Sequence, residues 1–188
     1  KADIPFAGAA QQDRGRGRHH LPSPFPGEFH VAQSDFHWRA HRRARRARVA
    51  GMSDANVPEG FIPAGFSPGF LDHGGPYYLR ANEAGPRTVG LRILPHHINY
   101  QDAAHGGVIS TFADVALSHA VYDAERPRLT PSTVTLTVNY LAGAKLGDWL
   151  EARVRIDRLG GRTAYTSGGV WRGDEQIATM SGVFAFRR

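Results

Sequence analysis

One stretch, His105–Glu125, constrains the fold more than any other part of the chain. It begins with a histidine and two glycines and continues as an apolar run, interrupted at mid-length by the carboxylate of Asp114. Apolar residues recur in it at spacings of three and four, the period of one buried helix face. The first backbone N–H groups of such a helix, at Gly106 and Gly107, have no partner inside it and attract negative charge. The stretch therefore predicts a long buried helix that carries an acid and begins with free amides.

Short runs with strand character lie on both sides of this helix. Before it, Tyr77–Asn82 and Thr88–Ile93 flank a Gly-Pro pair and indicate a hairpin. Four further runs follow the helix: Ser132–Leu141, Asp148–Leu159, Arg162–Trp171 and Gln176–Phe186. This order predicts an α+β fold, with one helix lying against an antiparallel sheet. We expect the other face of the sheet to be apolar and to need a cover, which predicts an oligomer.

The run Ser132–Leu141 alternates clearly between apolar and polar residues. A period of two places Val134, Leu136 and Tyr140 on one face of the strand and Thr133 on the other. We expect Tyr140 to be a packing residue, together with Trp149 and Trp171.

Composition narrows the functions that the chain can have. Its 188 residues include no cysteine, so disulfides, thiolate catalysis and cysteine-based metal sites are excluded. The net charge of +6 arises entirely in residues 1–51, where ten basic residues outnumber four acids. We therefore expect no nucleic-acid partner for the main domain. No apolar run approaches the length of a membrane span, and no signal-peptide pattern is present, so we expect no membrane partner and a cytoplasmic protein.

The chain divides into three parts. Residues 1–51 are rich in Arg, His and Pro without an apolar period, which predicts a disordered or non-native basic extension. Residues 52–76 form a lead-in rich in Pro and Gly. Residues 77–188 hold the helix and all the predicted strands, so we expect the functional domain there.

Several motifs of this domain together have a specific spacing. HGG at 105–107 is followed nine residues after its histidine by Asp114, then by the strand Thr133–Tyr140 and by Gly147-Asp148. With the RLGGR sequence at 158–162, they make residues 77–187 resemble the hotdog-fold acyl-CoA thioesterases, in particular the PaaI-like subgroup of phenylacetic acid degradation.

The resemblance implies a hotdog fold, in which an antiparallel sheet wraps one long central helix. It also implies that the protein hydrolyses acyl-CoA to a free acid and CoA. The site would lie between subunits of a homodimer or homotetramer whose sheets pair edge to edge, and it would use no cofactor and no metal.

The resemblance also assigns roles to individual residues. Asp114 looks like the general base or nucleophile, and Gly106 looks like the backbone donor to the thioester carbonyl. Asn99 is similar in position to a residue that holds the attacking water or the thioester. Thr133 falls where the family often has a hydroxyl near the acid, and His105 looks like a positioning residue at the helix start.

Four further residues are predicted to bind substrate. Gly107 adds an amide at the helix start, and the cationic side chains of Lys145, Arg158 and Arg162 are candidates for contacts with the CoA phosphates.

Other functions remain open on the sequence alone. One is a non-catalytic module that binds acyl-CoA. Another is a hotdog hydratase acting on enoyl-thioesters, which would pair a histidine with the acid; His119 lies five residues after Asp114 and points elsewhere on the helix. A metal site is not expected, because the adjacent His96 and His97 are poorly spaced to chelate together.

Overall fold

The computed structural model describes residues 57–66 and 69–188, and the predicted extension at 1–51 lies outside them. Its elements are β1 (Ile62–Pro63), α1 (Phe70–Gly74), β2 (Tyr77–Arg80), β3 (Thr88–Arg92), a 3-10 helix (Pro95–His97), α2 (Gly106–Tyr122), β4 (Ser132–Tyr140), β5 (Trp149–Leu159), β6 (Thr163–Arg172) and β7 (Glu175–Ala185). The predicted α+β class is confirmed, and the lead-in adds the short strand β1.

The strands form one antiparallel sheet in the order β1-β2-β3-β5-β6-β7-β4. Helix α2 packs against strands β3 to β7, so the sheet wraps around it. Among the described strands, β4 pairs with β7 alone and forms one edge of the sheet. An edge strand keeps a row of unpaired N–H and C=O groups that can pair with another chain.

Helix α2 is buried on most of its circumference. The apolar positions predicted to be buried are buried, and so are the other core residues of the helix: Ile109, Phe112, Ala113, Val115, Ala116, Leu117, His119, Ala120 and Val121. Apart from residues of the first turns (Gly106, Val108 and Ser110), the residues that remain partly accessible to solvent form one open row: Gly107, Thr111, Asp114, Ser118 and Tyr122. These residues follow one another at spacings of three and four, so they form one continuous strip along the helix.

The face of the sheet that points away from α2 is mixed: it is polar in the middle of β5 and β6, whereas its β1–β3 end carries the aromatic side chains of Phe61, Tyr78 and Trp149. On β5 it carries Arg155 and Asp157, whose side chains are hydrogen-bonded at 2.7 Å. Asp157 also accepts a hydrogen bond from Ser167 of β6 at 2.9 Å. Charged and hydroxyl side chains satisfy one another there, and the predicted oligomer stays a prediction. Exposed apolar side chains occur instead on the edge strand, where Val134 is 62% exposed.

A β-bulge changes the faces of β4. Thr133 pairs with Phe184 and Thr135 with Val183, so Val134 is one extra residue opposite a continuous β7. Residues on either side of a bulge change their alternation, and directly opposite residues share a face. Thr133 therefore joins the fully buried Phe184 on the helix side. The predicted alternation, which placed Thr133 on the far side, is wrong at this point.

His97 connects the 3-10 helix to the start of α2. The side chain is 1% exposed, and its Nδ1 accepts a hydrogen bond from the backbone N of Leu94 at 3.0 Å. The His97 carbonyl accepts one from the backbone N of His105 at 2.8 Å. Burial, with a smaller contribution from His96, lowers the pKa of His97 to about 4. The folded protein therefore keeps this ring neutral well below the pKa of 6.5 of an ordinary histidine.

We predict that His97 makes stability sensitive to acid. Between pH 6.5 and about 4 the unfolded chain binds a proton that the folded chain excludes, so stability is complete above this window and falls as pH decreases through it. The loss approaches roughly 3 kcal/mol. In His97→Asn, whose amide oxygen can still accept from Leu94, urea unfolding should show a shallower pH dependence. The exposed His73→Asn is the control, and parallel curves for His97→Asn and wild type would contradict the prediction.

Candidate active site

The first turn of α2 presents one free amide. His105 is the N-cap of the helix, and its Nδ1 accepts the backbone N–H of Gly107 at 2.9 Å. The backbone N–H groups of Val108 and Ile109 bond to the His105 carbonyl. Within the described residues, the N–H of Gly106 has no acceptor. The amide predicted to hold a carbonyl oxygen is thus unoccupied by the protein, whereas the Gly107 amide is used by the cap.

Tyr140 holds this turn from the end of the edge strand. Its hydroxyl donates to the Gly106 carbonyl at 3.1 Å and lies 2.5 Å from the Ser110 Oγ, which can donate to it. The ring is 54% exposed and lies beside Gly106, so Tyr140 makes polar contacts in addition to its predicted packing. Sequence analysis missed this role and that of Ser110. The period of two places Tyr140 on the helix side, but only the register of β4 shows that it reaches the helix start.

Asp114 and Thr133 meet at the other end of β4. The hydroxyl of Thr133 donates to Asp114 Oδ1 at 2.8 Å. Asp114 is half-buried on the open row of α2, so the carboxylate can contact a ligand. The bond fixes one carboxylate oxygen and leaves Oδ2 accessible for a second donor. The predicted pair of acid and hydroxyl is therefore brought together, and the bulge at Val134 is what permits it.

The two groups lie apart within one chain. Gly106 and Asp114 are separated by eight residues of helix, about 12 Å at 1.5 Å per residue. β4 spans this separation, with Tyr140 beside Gly106 and Thr133 beside Asp114. The free Gly106 amide and the Asp114–Thr133 pair, the two candidate half-sites, therefore lie at opposite ends of the exposed edge strand.

Asn99 has a structural contact in this chain. Its Oδ1 accepts the backbone N–H groups of Gln101 at 2.8 Å and Ala103 at 3.3 Å, which closes the loop before the helix. The side-chain oxygen is therefore occupied. The amide nitrogen remains the group that it can offer to a ligand.

The three predicted phosphate contacts separate in space. Lys145 is exposed and follows Ala144, whose carbonyl accepts the backbone N of Ala104 at 2.7 Å, so Lys145 lies near the helix start. Arg162 lines an open cavity with Ser132, next to the Asp114 half-site. Arg158 is different because it pairs with the exposed Tyr165 on the face away from α2. In one chain, Arg158 therefore points away from both half-sites, contrary to its predicted role.

Burial also affects groups near the site. Desolvation lowers the pKa of His119. The coulombic effect of Asp123 opposes this shift, and the smaller coulombic effects of Arg87 and Arg128 act in the same direction as desolvation. Its ring packs between Phe66 and Tyr122, at centroid distances of 5.6 and 5.9 Å. In the part of the chain that the structure describes, no cluster of three or more His, Asp or Glu side chains is arranged to hold a metal ion.

Comparisons with known proteins agree with this geometry. The thioesterase superfamily matches residues 101–179, which include α2, β4, β5 and β6. PA0474 of Pseudomonas aeruginosa, provisionally named an esterase, is 41% identical over 129 residues, covering 69% of this chain and 96% of that protein. The chain therefore belongs to the thioesterase superfamily and is an enzyme of thioester hydrolysis.

Solved structures of other proteins share the fold of this chain. The PaaI protein of the Escherichia coli phenylacetic acid degradation operon superposes with a TM-score of 0.55 at 18% identity, covering 60% of this chain and 80% of PaaI. A Streptococcus pneumoniae thioesterase solved with coenzyme A gives 0.54 at 21% identity, covering 60% and 91%. The predicted hotdog fold is confirmed, and PaaI shares this fold.

No helix within residues 57–66 and 69–188 has the length and apolar character needed to cross a membrane.

We predict that Tyr140→Phe lowers the rate of thioester hydrolysis. Phe keeps the ring beside Gly106 but removes the hydroxyl that fixes the first turn of α2. Loss of about 1 kcal/mol of this restraint corresponds to roughly a fivefold lower kcat. KM and the melting temperature should change little, because the effect is on orientation. Tyr165→Phe, an exposed tyrosine on the polar face, is the matched control. An unchanged kcat in Tyr140→Phe would contradict the role.

Proposed function

We propose that the protein hydrolyses acyl-CoA thioesters to a free acid and CoA. The observation that carries this is the Gly106 N–H, which points from a helix start and has no acceptor among the described residues. A donor placed where an oxyanion develops stabilises the tetrahedral intermediate of acyl transfer. The coenzyme A bound to the S. pneumoniae relative supports CoA as the leaving group.

In this proposal Asp114 activates the attacking water. Thr133 holds Oδ1, so Oδ2 accepts a proton from water as the water oxygen bonds to the thioester carbonyl carbon. The carbonyl oxygen becomes an anion held by the Gly106 amide and by the positive end of the α2 dipole. Collapse of the intermediate breaks the C–S bond, and Asp114 returns the proton to the CoA sulfur. If Asp114 attacks directly, its carboxylate bonds to the same carbonyl carbon and the C–S bond breaks, which gives a mixed anhydride and CoA thiolate. Water then cleaves the anhydride to the free acid and the Asp114 carboxylate, and the thiolate takes up the proton that water releases.

We further propose that each site is completed by two subunits. About 12 Å of helix separates Gly106 from Asp114, which is too far for both to contact one carbonyl. Antiparallel pairing of β4 with its copy around a two-fold axis at Leu136, the middle of the strand, would place each Tyr140 opposite Ser132 of the partner subunit, next to Thr133. Each Gly106 would then meet the carboxylate of the other chain. The unpaired edge of β4 supports this arrangement.

The other roles follow from the same arrangement. His105 holds the helix start as its cap, and the amide nitrogen of Asn99 borders the thioester. Gly107 lies beside the thioester too, but its N–H is already donated to His105 Nδ1. Lys145 and Arg162 lie near the two ends of β4 and remain candidates for the CoA phosphates.

Replacing Asp114 with Asn is expected to abolish most hydrolysis. The amide oxygen still accepts from Thr133, so folding is preserved, but the side chain no longer takes a proton. We expect kcat to fall by at least about a hundredfold. Thiol release from aryl and medium-chain acyl-CoAs, followed with a dithiobenzoate reagent, measures this. Asp174→Asn in the exposed β6–β7 turn is the control. If the wild-type protein binds acyl-CoA tightly but releases no thiol, it is a non-catalytic acyl-CoA-binding module. If Asp114→Asn keeps most of kcat, the role of Asp114 is contradicted.

Mixed oligomers are expected to test the shared site. Proline is tolerated at the first helical position and removes the N–H, and His105 already has the extended backbone that precedes proline. Gly106→Pro and Asp114→Asn should each be inactive alone. Random pairing of the two chains should restore about a quarter of wild-type activity, since half of the pairs hold one intact site of two. If the mixture of the two variants has no activity, the two-subunit site is contradicted, whereas the proposed role of Asp114 is unaffected.

A further inference from the structure

An open groove of about 420 Å³ lies along α2 beyond the proposed catalytic acid. Three residues of α2 that come after Asp114 form its helix side: Val115, Ser118 and Tyr122. Ser118 and Tyr122 continue the open row of α2, and Val115 lies beside that row. Pro131, two residues before Thr133, closes one side. An acyl group whose carbonyl lay at Asp114 would therefore extend directly into this groove.

The middle of the groove is apolar. The lead-in segment contributes Phe66 and Leu71, and β2 contributes Leu79. Phe66 packs against the ring of His119, whose Nδ1 is buried without a partner. Carbon chains and rings gain free energy by leaving water for such a surface.

The far end of the groove is cationic. Arg87 and Arg128 line it, and both approach Asp123 at the helix end, at 3.5 and 3.4 Å. Arg126 contacts the same carboxylate at 3.0 Å. The next acid, Glu125, is held by Arg188. Three guanidinium groups therefore share one carboxylate, and an excess of positive charge remains.

These two arginines are available to a ligand. The side chains of Arg87 and Arg128 are 38% and 47% exposed, and each contacts Asp123 through its Nε. Nη1 of Arg128 also donates to the Tyr122 hydroxyl at 3.4 Å, and its guanidinium lies 5.2 Å from the centre of that ring, so Nη2 is the terminal group that Arg128 offers to a ligand. The terminal nitrogens of Arg87 have no partner within the described residues. A guanidinium binds a carboxylate through two parallel N–H groups, which suits a terminal carboxylate better than a neutral methyl group.

The length of the groove limits the size of the ligand. Asp114 and Tyr122 are eight residues apart, about 12 Å along the helix. An extended carbon chain advances about 1.3 Å per bond. Arginine side chains reach back along the groove, so an acyl chain of roughly six to eight carbons fits between the acid and the guanidinium groups.

We propose that the groove selects acyl-CoA substrates that end in a carboxylate, namely mono-CoA thioesters of dicarboxylic acids with six to eight carbons. Arg87 and Arg128 bind the distal carboxylate, while the apolar middle receives the methylene chain. This inference rests on the proposed hydrolysis at Asp114 and adds the class of acyl group.

The test compares matched substrates on the same protein. Adipyl-CoA is paired with hexanoyl-CoA and suberyl-CoA with octanoyl-CoA, so each pair differs only at the distal end. We expect kcat/KM to favour the carboxylated member by at least about tenfold in wild type. Arg87→Leu and Arg128→Leu should remove or reverse this preference, mainly through KM, whereas Arg128→Lys should keep part of it. Arg155→Leu on the polar face is the control and should retain the wild-type ratio.

The ratio of two substrates is insensitive to how much protein is folded, so a destabilised arginine variant remains informative. Equal kcat/KM within each pair in wild type would overturn the proposal. So would a wild-type ratio in both leucine variants. If all four substrates are untouched while another acyl-CoA is hydrolysed, the groove assignment fails and the proposed activity stands. If no acyl-CoA is hydrolysed, the proposed function itself fails.

Discussion

The burial of α2 is the constraint on which the rest of the structure depends. An apolar helix of 17 residues must be covered, and strands β3 to β7 cover it on every side but one. The remaining strip carries Thr111, Asp114 and Ser118, which are the polar residues that a fully buried helix could not contain without cost. The proposed catalytic groups lie along this open strip, which the edge strand β4 borders.

One extra residue in β4 decides whether the acid has a partner. Without the bulge at Val134, Thr133 would project from the polar face of the sheet, and Asp114 would lose its hydrogen-bond donor. Bulges often redirect a side chain beside a functional site. The neighbouring Val134 becomes exposed as a result. The same local irregularity thus supports the carboxylate and places an apolar side chain on the open edge.

Features that depend on local sequence were predictable, whereas features that depend on register were not. The apolar period of 3.6 residues predicted α2, and the HGG sequence predicted its first residue. Each signal depends only on residues that are close together in the chain. The pairing of Tyr140 with Gly106 and the outward direction of Arg158 depend on how distant strands align. A strict period of two misplaced Thr133, since a bulge has no signal in the alternation itself.

The division of the site between the two ends of β4 bears on when the proposed activity begins. A single chain holds an amide without its acid and an acid without its amide. A newly made chain would therefore be inert toward thioesters until it found a copy of itself. Activity would require association of two chains. At low protein concentration, total activity would therefore rise more steeply than the concentration of the chain.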